Sequence, residues 1–171
     1  MSPAERHLIV RGTPVTMLEG GAGPPLLFLH AAGGGGRWLA FQDVLAERFT
    51  VLSPTHPGHG GSPQAEWIEH ISDLAFHYLD LLDELGTDRV HLAGASFGGW
   101  IAAEIATMAS HRLASLVLVD PVGIKVSGPT VNRRCPKPIG SATTPSAAAT
   151  PRSPVCSGPS CWRAPRSSAI R

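Results

Sequence analysis

Ser96 is the residue whose setting best suits it to do chemistry. It stands in the run Gly94-Ala95-Ser96-Phe97-Gly98, between the apolar stretch Val90-His91-Leu92-Ala93 and the small-residue pattern Gly99-Trp100-Ile101-Ala102-Ala103-Glu104-Ile105-Ala106. A G-x-S-x-G run between a strand and a helix lifts a serine hydroxyl above the edge of a sheet. Small neighbours are needed because the backbone of so tight a turn passes close to itself. The same turn points the Phe97 amide N–H beside the hydroxyl, at the positive end of the new helix. A hydroxyl becomes a useful nucleophile only when a base activates it. The plain alternative is a glycine-rich connection carrying a surface serine.

A second segment supplies what acyl transfer needs next. His30-Ala31-Ala32-Gly33-Gly34-Gly35-Gly36 follows the apolar run Pro25-Leu26-Leu27-Phe28-Leu29. A backbone N–H must reach the oxyanion that develops on attack, and a glycine-rich loop lets the backbone approach closely enough. Ala32 is then the expected donor, with Gly33–Gly36 shaping the entrance. Phosphate binding is the weaker reading, since no G-K-[S/T] follows and no G-x-G-x-x-G is present here. A flexible linker is the plain alternative.

The elements that must position these residues alternate as in an α/β protein. His7–Val10 and Pro14–Leu18 read as strands around the turn Arg11-Gly12-Thr13, and Pro25–Leu29 as a buried strand. Residues 37–48 read as a helix with Trp38, Leu39, Phe41, Val44 and Leu45 on its inner side. Phe49–Ser53 is the next strand, and residues 54–63 a long loop. Residues 66–85 form the most regular apolar stripe, from Ile68 to Leu85, with Gly86 as the stop and His70 and His77 on the polar side. Strand 89–93, the Ser96 turn, helix 98–109 and strand 113–120 complete the pattern.

Taken together, four segments resemble the α/β-hydrolase superfamily: His30–Gly36, His56-Pro57-Gly58-His59-Gly60-Gly61-Ser62, Gly94–Gly98, and Leu116-Val117-Leu118-Val119-Asp120-Pro121. They occur in that family's order and spacing over residues 7–125, about the first half of a typical member. The resemblance implies a sheet of about six strands, mostly parallel, with flanking helices. It further implies Ser96 as nucleophile, Ala32 and Phe97 as oxyanion donors, a small-molecule substrate, and neither metal nor cofactor. The serine argues against the branches that use an aspartate nucleophile. Ala31, where the family usually carries glycine, is a minor departure.

The major departure concerns the base. Family members supply an acid and then a histidine after the serine, whereas this sequence offers only His111, Glu104 and Asp120 beyond Ser96. His111 falls at the far end of the sheet, where an exposed loop histidine is expected. Asp120 falls at the serine's end, before Pro121, with a structural role expected. His30, His56 and His59 precede the serine. His30 resembles the family's oxyanion-loop histidine, which orders backbone, and a substitute base from these three is the remaining route.

Charge divides the chain at about the same place. All thirteen acidic residues lie at or before Asp120, while Arg133, Arg134, Lys137, Arg152, Arg163, Arg166 and Arg171 follow it unbalanced. Residues 128–171 also hold Cys135, Cys156 and Cys161 in no metal-binding spacing, and eight of the sixteen prolines. The expected organisation is a truncated hydrolase domain over 1–127 and a disordered Pro/Ser/Arg-rich tail over 128–171. The preferred origin of the tail is a shift of coding frame near codon 128, which translation of the other two frames checks. No signal peptide, membrane span or specific nucleic-acid partner is read, and the default location is cytoplasmic. Two functions stay open: a serine hydrolase impaired by the absent histidine, and a non-catalytic remnant or interaction protein with a basic arm. Self-association through the edge strand 113–120 is the expected liability.

Overall fold

The computed structural model describes residues 2–124; the expectations for residues 125–171 lie outside it. The described elements are β1 (Ala4–Val10), β2 (Thr13–Gly20), β3 (Pro25–Leu29), α1 (Ala40–Ala46), β4 (Thr50–Pro54), α2 (Ile71–Glu84), β5 (Val90–Ala95), α3 (Phe97–Ala109) and β6 (Leu113–Val119). Six strands form one sheet in the order β1-β2-β4-β3-β5-β6. β1, β2 and β4 pair antiparallel, and β4, β3, β5 and β6 run parallel. This is the mostly parallel sheet the sequence implied.

Local chemistry explains the boundaries. β1 and β2 join through Arg11 and Gly12, both at positive φ (47° and 75°). Two such residues make the hairpin turn whose twist suits the flanking strands. α2 starts at Ile71 instead of near residue 66, because the Asp73 carboxylate accepts the N–H groups of His70 (2.8 Å) and Glu69 (3.0 Å). That interaction satisfies donors a helix start leaves orphaned. Ala65 and Ile68 are buried as loop anchors, so apolar spacing across 66–70 mimics a helix that is not there. At its other end Gly86 (φ 63°) stops α2, with the Thr87 N–H on the Leu82 carbonyl.

Strand alternation divides the core between the two faces of the sheet. Leu27, Leu29, Val90 and Leu92 face α2 and α3 and join the main core with Tyr78, Leu81, Ile101 and Ile105. Leu26, Phe28 and Val51 face the other way and pack with Leu45 and Ala46 of the short α1 and with Trp38 and Phe49. α1 departs from the helix expected over 37–48: it spans seven residues and buries Gln42 and Ala46, leaving Phe41 and Val44 exposed. The Gln42 Oε1 accepts the Leu39 N–H at 2.8 Å, which turns this polar side chain inward. His77 is a second correction, being fully buried on the inner side of α2.

The two edges of the sheet differ. β1 is guarded by Glu5, Arg6 and His7, with Arg6 paired to Glu19 at 2.6 Å. β6 carries no charge, and Val117 and Val119 are 52% and 54% exposed on the face that α1 scarcely covers. Apolar edges of this kind invite pairing between chains, and a charge there blocks it. Val117→Lys is therefore expected to shift sedimentation toward monomer. An unchanged, concentration-dependent sedimentation profile would show that β6 is not the contact.

Candidate active site

Ser96 occupies the junction of β5 and α3 with φ 50° and ψ −109°, a backbone conformation in which non-glycine residues are rare. Its N–H donates to the Val119 carbonyl at 2.9 Å, and its own carbonyl accepts the N–H groups of Trp100 and Val122, both at 3.1 Å. Chain from α3 and from the end of β6 therefore clasps the residue on two sides.

The glycines follow from close approach. A Cβ on Gly94 would lie 2.3 Å from the Gly98 carbonyl oxygen, and one on Gly98 only 2.1 Å from that of Leu29. One on Gly99 would meet Pro121 Cβ at 2.9 Å. No side chain fits at the first two positions without moving backbone. Gly98 is also where this elbow, the Gly94–Gly98 turn, touches the end of β3, so the Ser96 turn and the loop beginning at His30 are neighbours.

That loop is held by an interlocked pair of imidazoles. The His56 backbone N–H donates to His30 Nε2 at 3.0 Å, so this nitrogen is the acceptor and His30 Nδ1 carries the proton to the Ala31 carbonyl at 2.6 Å. The Tyr78 hydroxyl donates to His56 Nδ1, leaving His56 Nε2–H to donate to the His30 carbonyl at 2.8 Å. Burial pushes the Tyr78 phenol up, so it stays a donor. Burial first, and then the neighbouring His30, hold the His56 pKa well below its usual value, and burial likewise lowers that of His30. Both rings are neutral with every nitrogen committed. The sequence reading missed Tyr78, whose place in an apolar stripe gave no sign of a polar partner.

His59 is different. Its ring stacks on that of Phe97 with centroids 5.5 Å apart, and its Nδ1 lies 3.1 Å from the Pro57 carbonyl. Its Nε2 has no partner among the described residues. The Ala32 and Phe97 N–H groups likewise make no backbone hydrogen bond among the described residues. His111 is exposed at the opposite end of β6, a strand length of roughly 20 Å from the elbow. Asp120 (φ 44°) is exposed at the elbow's end of β6. A cleft of about 280 Å³ lies elsewhere, between the β1–β2 turn and residues 63–67. Among the described residues no cluster suits a metal, and no helix is long and apolar enough to cross a membrane.

Comparison with known proteins agrees with the fold. The family model described as alpha/beta hydrolase fold matches residues 24–140. The chain is 37% identical over 106 residues to the dihydrolipoyllysine-residue acetyltransferase component of an acetoin cleaving system from Cupriavidus necator, covering 61% of this chain and 28% of that protein. It is 30% identical over 124 residues to a 2-hydroxy-6-oxo-2,4-heptadienoate hydrolase from Pseudomonas putida, covering 70% and 45%. A crystal structure of a membrane phospholipase A superposes with TM-score 0.69 and 31% identity, over 75% of this chain and 43% of that one. The chain thus spans less than half the length of each.

Proposed function

The chain belongs to the alpha/beta hydrolase fold family, and from that premise we propose that it is a serine hydrolase acting on a carboxylic ester or a related acyl or C–C bond. Ser96 Oγ attacks the carbonyl carbon, and the amides of Ala32 and Phe97 donate to the oxyanion that forms. The observation that supports this most is the Ser96 backbone itself. A non-glycine residue held outside its usual φ/ψ regions costs of order 1–3 kcal/mol, and such strain clusters at sites where geometry serves chemistry. Relatives named as a hydrolase and as an acetyltransferase component accord with acyl transfer to different acceptors.

Activation of Ser96 is the weak step for this sequence. His111 is a strand length away, and His30 and His56 have no lone pair to spare. Of His30, His56 and His59, the three histidines near the Ser96 turn, only His59 keeps one at Nε2, so slow turnover is expected. Treatment with a fluorophosphonate probe is expected to give one adduct per chain, mapped by mass to Ser96 and absent in Ser96→Ala. A folded, soluble sample that takes up no probe sinks the proposal. That outcome would favour the second reading, an interaction protein or non-catalytic remnant, for which the exposed β6 valines speak.

A further inference from the structure

The buried imidazole of His56 sits where the Ser96 mechanism has no use for a base. Its neighbours give it another task. In a trans peptide the C=O and the N–H of one unit point in opposite directions. The described chain has no cis peptide. Whatever holds a carbonyl inward therefore aims the following amide outward. His56 Nε2–H holds the His30 carbonyl at 2.8 Å, which turns the Ala31 N–H away from the core. The next carbonyl, that of Ala31, accepts from His30 Nδ1–H at 2.6 Å and from the Gly34 N–H at 2.8 Å, which turns the Ala32 N–H away likewise.

The two rings depend on each other. His30 keeps its Nδ1 proton because its Nε2 accepts the His56 backbone N–H, and His56 keeps its Nε2 proton because its Nδ1 accepts from Tyr78. Their centroids are 3.7 Å apart. Tyr78 comes from α2, so a helix remote in sequence sets the tautomer that fixes a loop following β3.

We infer that His56 is the positioning residue of the oxyanion loop: its ring, set by the Tyr78 hydroxyl, fixes the His30–Ala31 peptide on which the next unit, carrying the Ala32 amide, is built. The inference rests on the oxyanion role proposed for Ala32. Two substitutions separate positioning from mere filling of space. In His56→Gln the side-chain amide N–H₂ takes the place of Nε2 and still reaches the His30 carbonyl. In His56→Asn it stops near the place of Nδ1 and does not.

Fluorophosphonate labelling is expected to slow by about 100-fold in His56→Asn, because a freed His30–Ala31 peptide no longer holds the following Ala32 amide in place, an effect the size of losing one oxyanion donor, and to recover most of that in His56→Gln. Nitrogen-15 NMR of the wild-type chain at neutral pH, with His56→Gln identifying the signal, is expected to show His56 protonated at Nε2 and bare at Nδ1. Equal labelling of the two variants, or a wild-type His56 protonated at Nδ1, overturns the inference. A wild-type chain that takes no label refutes the hydrolase reading instead, and the NMR result then decides the latch alone.

Discussion

Gly98→Ala is expected to be among the most damaging single-methyl additions at the described residues. The new Cβ would lie 2.1 Å from the Leu29 carbonyl oxygen and 2.4 Å from its carbon, both of them backbone atoms of the central strand. Neither can swing aside as a side chain can, so α3 must separate from β3. Overpacking a close-packed core commonly costs 1–3 kcal/mol, and a contact this short against backbone belongs at or above about 3 kcal/mol. For a domain of this size the thermal midpoint then falls by roughly 10 °C. Gly33→Ala is the control, since a Cβ there meets nothing within 4 Å. Comparable midpoints for the two variants would mean that the elbow is looser than its packing indicates. The loss should extend to Ser96 labelling, because the same contact sets the Ser96 turn against the loop beginning at His30.

The second large effect is a dependence of stability on pH that originates outside the elbow. His77 is fully buried in α2 between Trp67 and Tyr78, and neither ring nitrogen has a partner among the described residues. Burial brings its pKa down from 6.5 to about 4. In the unfolded chain the imidazole binds a proton near its ordinary value. Above pH 6.5 neither state is protonated and the folded protein has its full stability. As pH falls from 6.5 toward 4 only the unfolded state gains the proton, and about 3 kcal/mol is lost. His30 and His56, lowered in the same direction, steepen the slope.

His77→Leu is expected to flatten that slope and to add about 1–3 kcal/mol at pH 7, because an unpaired buried polar group disappears. Urea unfolding at pH 7.5 and pH 5 measures both effects. A variant whose midpoint moves with pH as much as the wild type's would remove His77 as the cause. Asp80 lies one turn further along α2 and pairs with Arg11 at 2.7 Å.

Features that depend on neighbours close in sequence were legible before the fold was known. The Gly94–Gly98 run announces its turn because its glycines answer to steric contacts that any strand-to-helix crossing imposes. Arg11-Gly12 and Gly86 mark a hairpin and a helix end for equally local reasons. What escaped reading depends on partners distant in sequence. Residues 66–70 have helical spacing, yet the Asp73 carboxylate starts the helix later. Phe41 and Val44 look like an inner face, yet α1 turns Gln42 inward through the Leu39 N–H. His77 looks polar and therefore exposed, yet it fills a slot beneath Trp67. Tyr78 and His56 lie 22 residues apart, and no spacing rule joins a stripe residue to a loop residue. The strand order, too, is set by pairings between distant segments.

That strand order governs when the site can exist during folding. β3 lies between β4 and β5, so Leu26 finds Val51 on one side and waits for His91 on the other. The β1–β2 hairpin closes locally, whereas the parallel centre requires closure of long loops before any contact rewards it, and topologies of this kind fold slowly. The loop beginning at His30 leaves β3 early in the chain, but the surface it rests on, Gly98, arrives only after β5 has docked. During synthesis the apolar strand Pro25–Leu29 is therefore exposed until residues 90–98 have emerged. Within this domain the Ser96 turn is among the last parts to be built, and its assembly reports that the sheet has closed around its central strand.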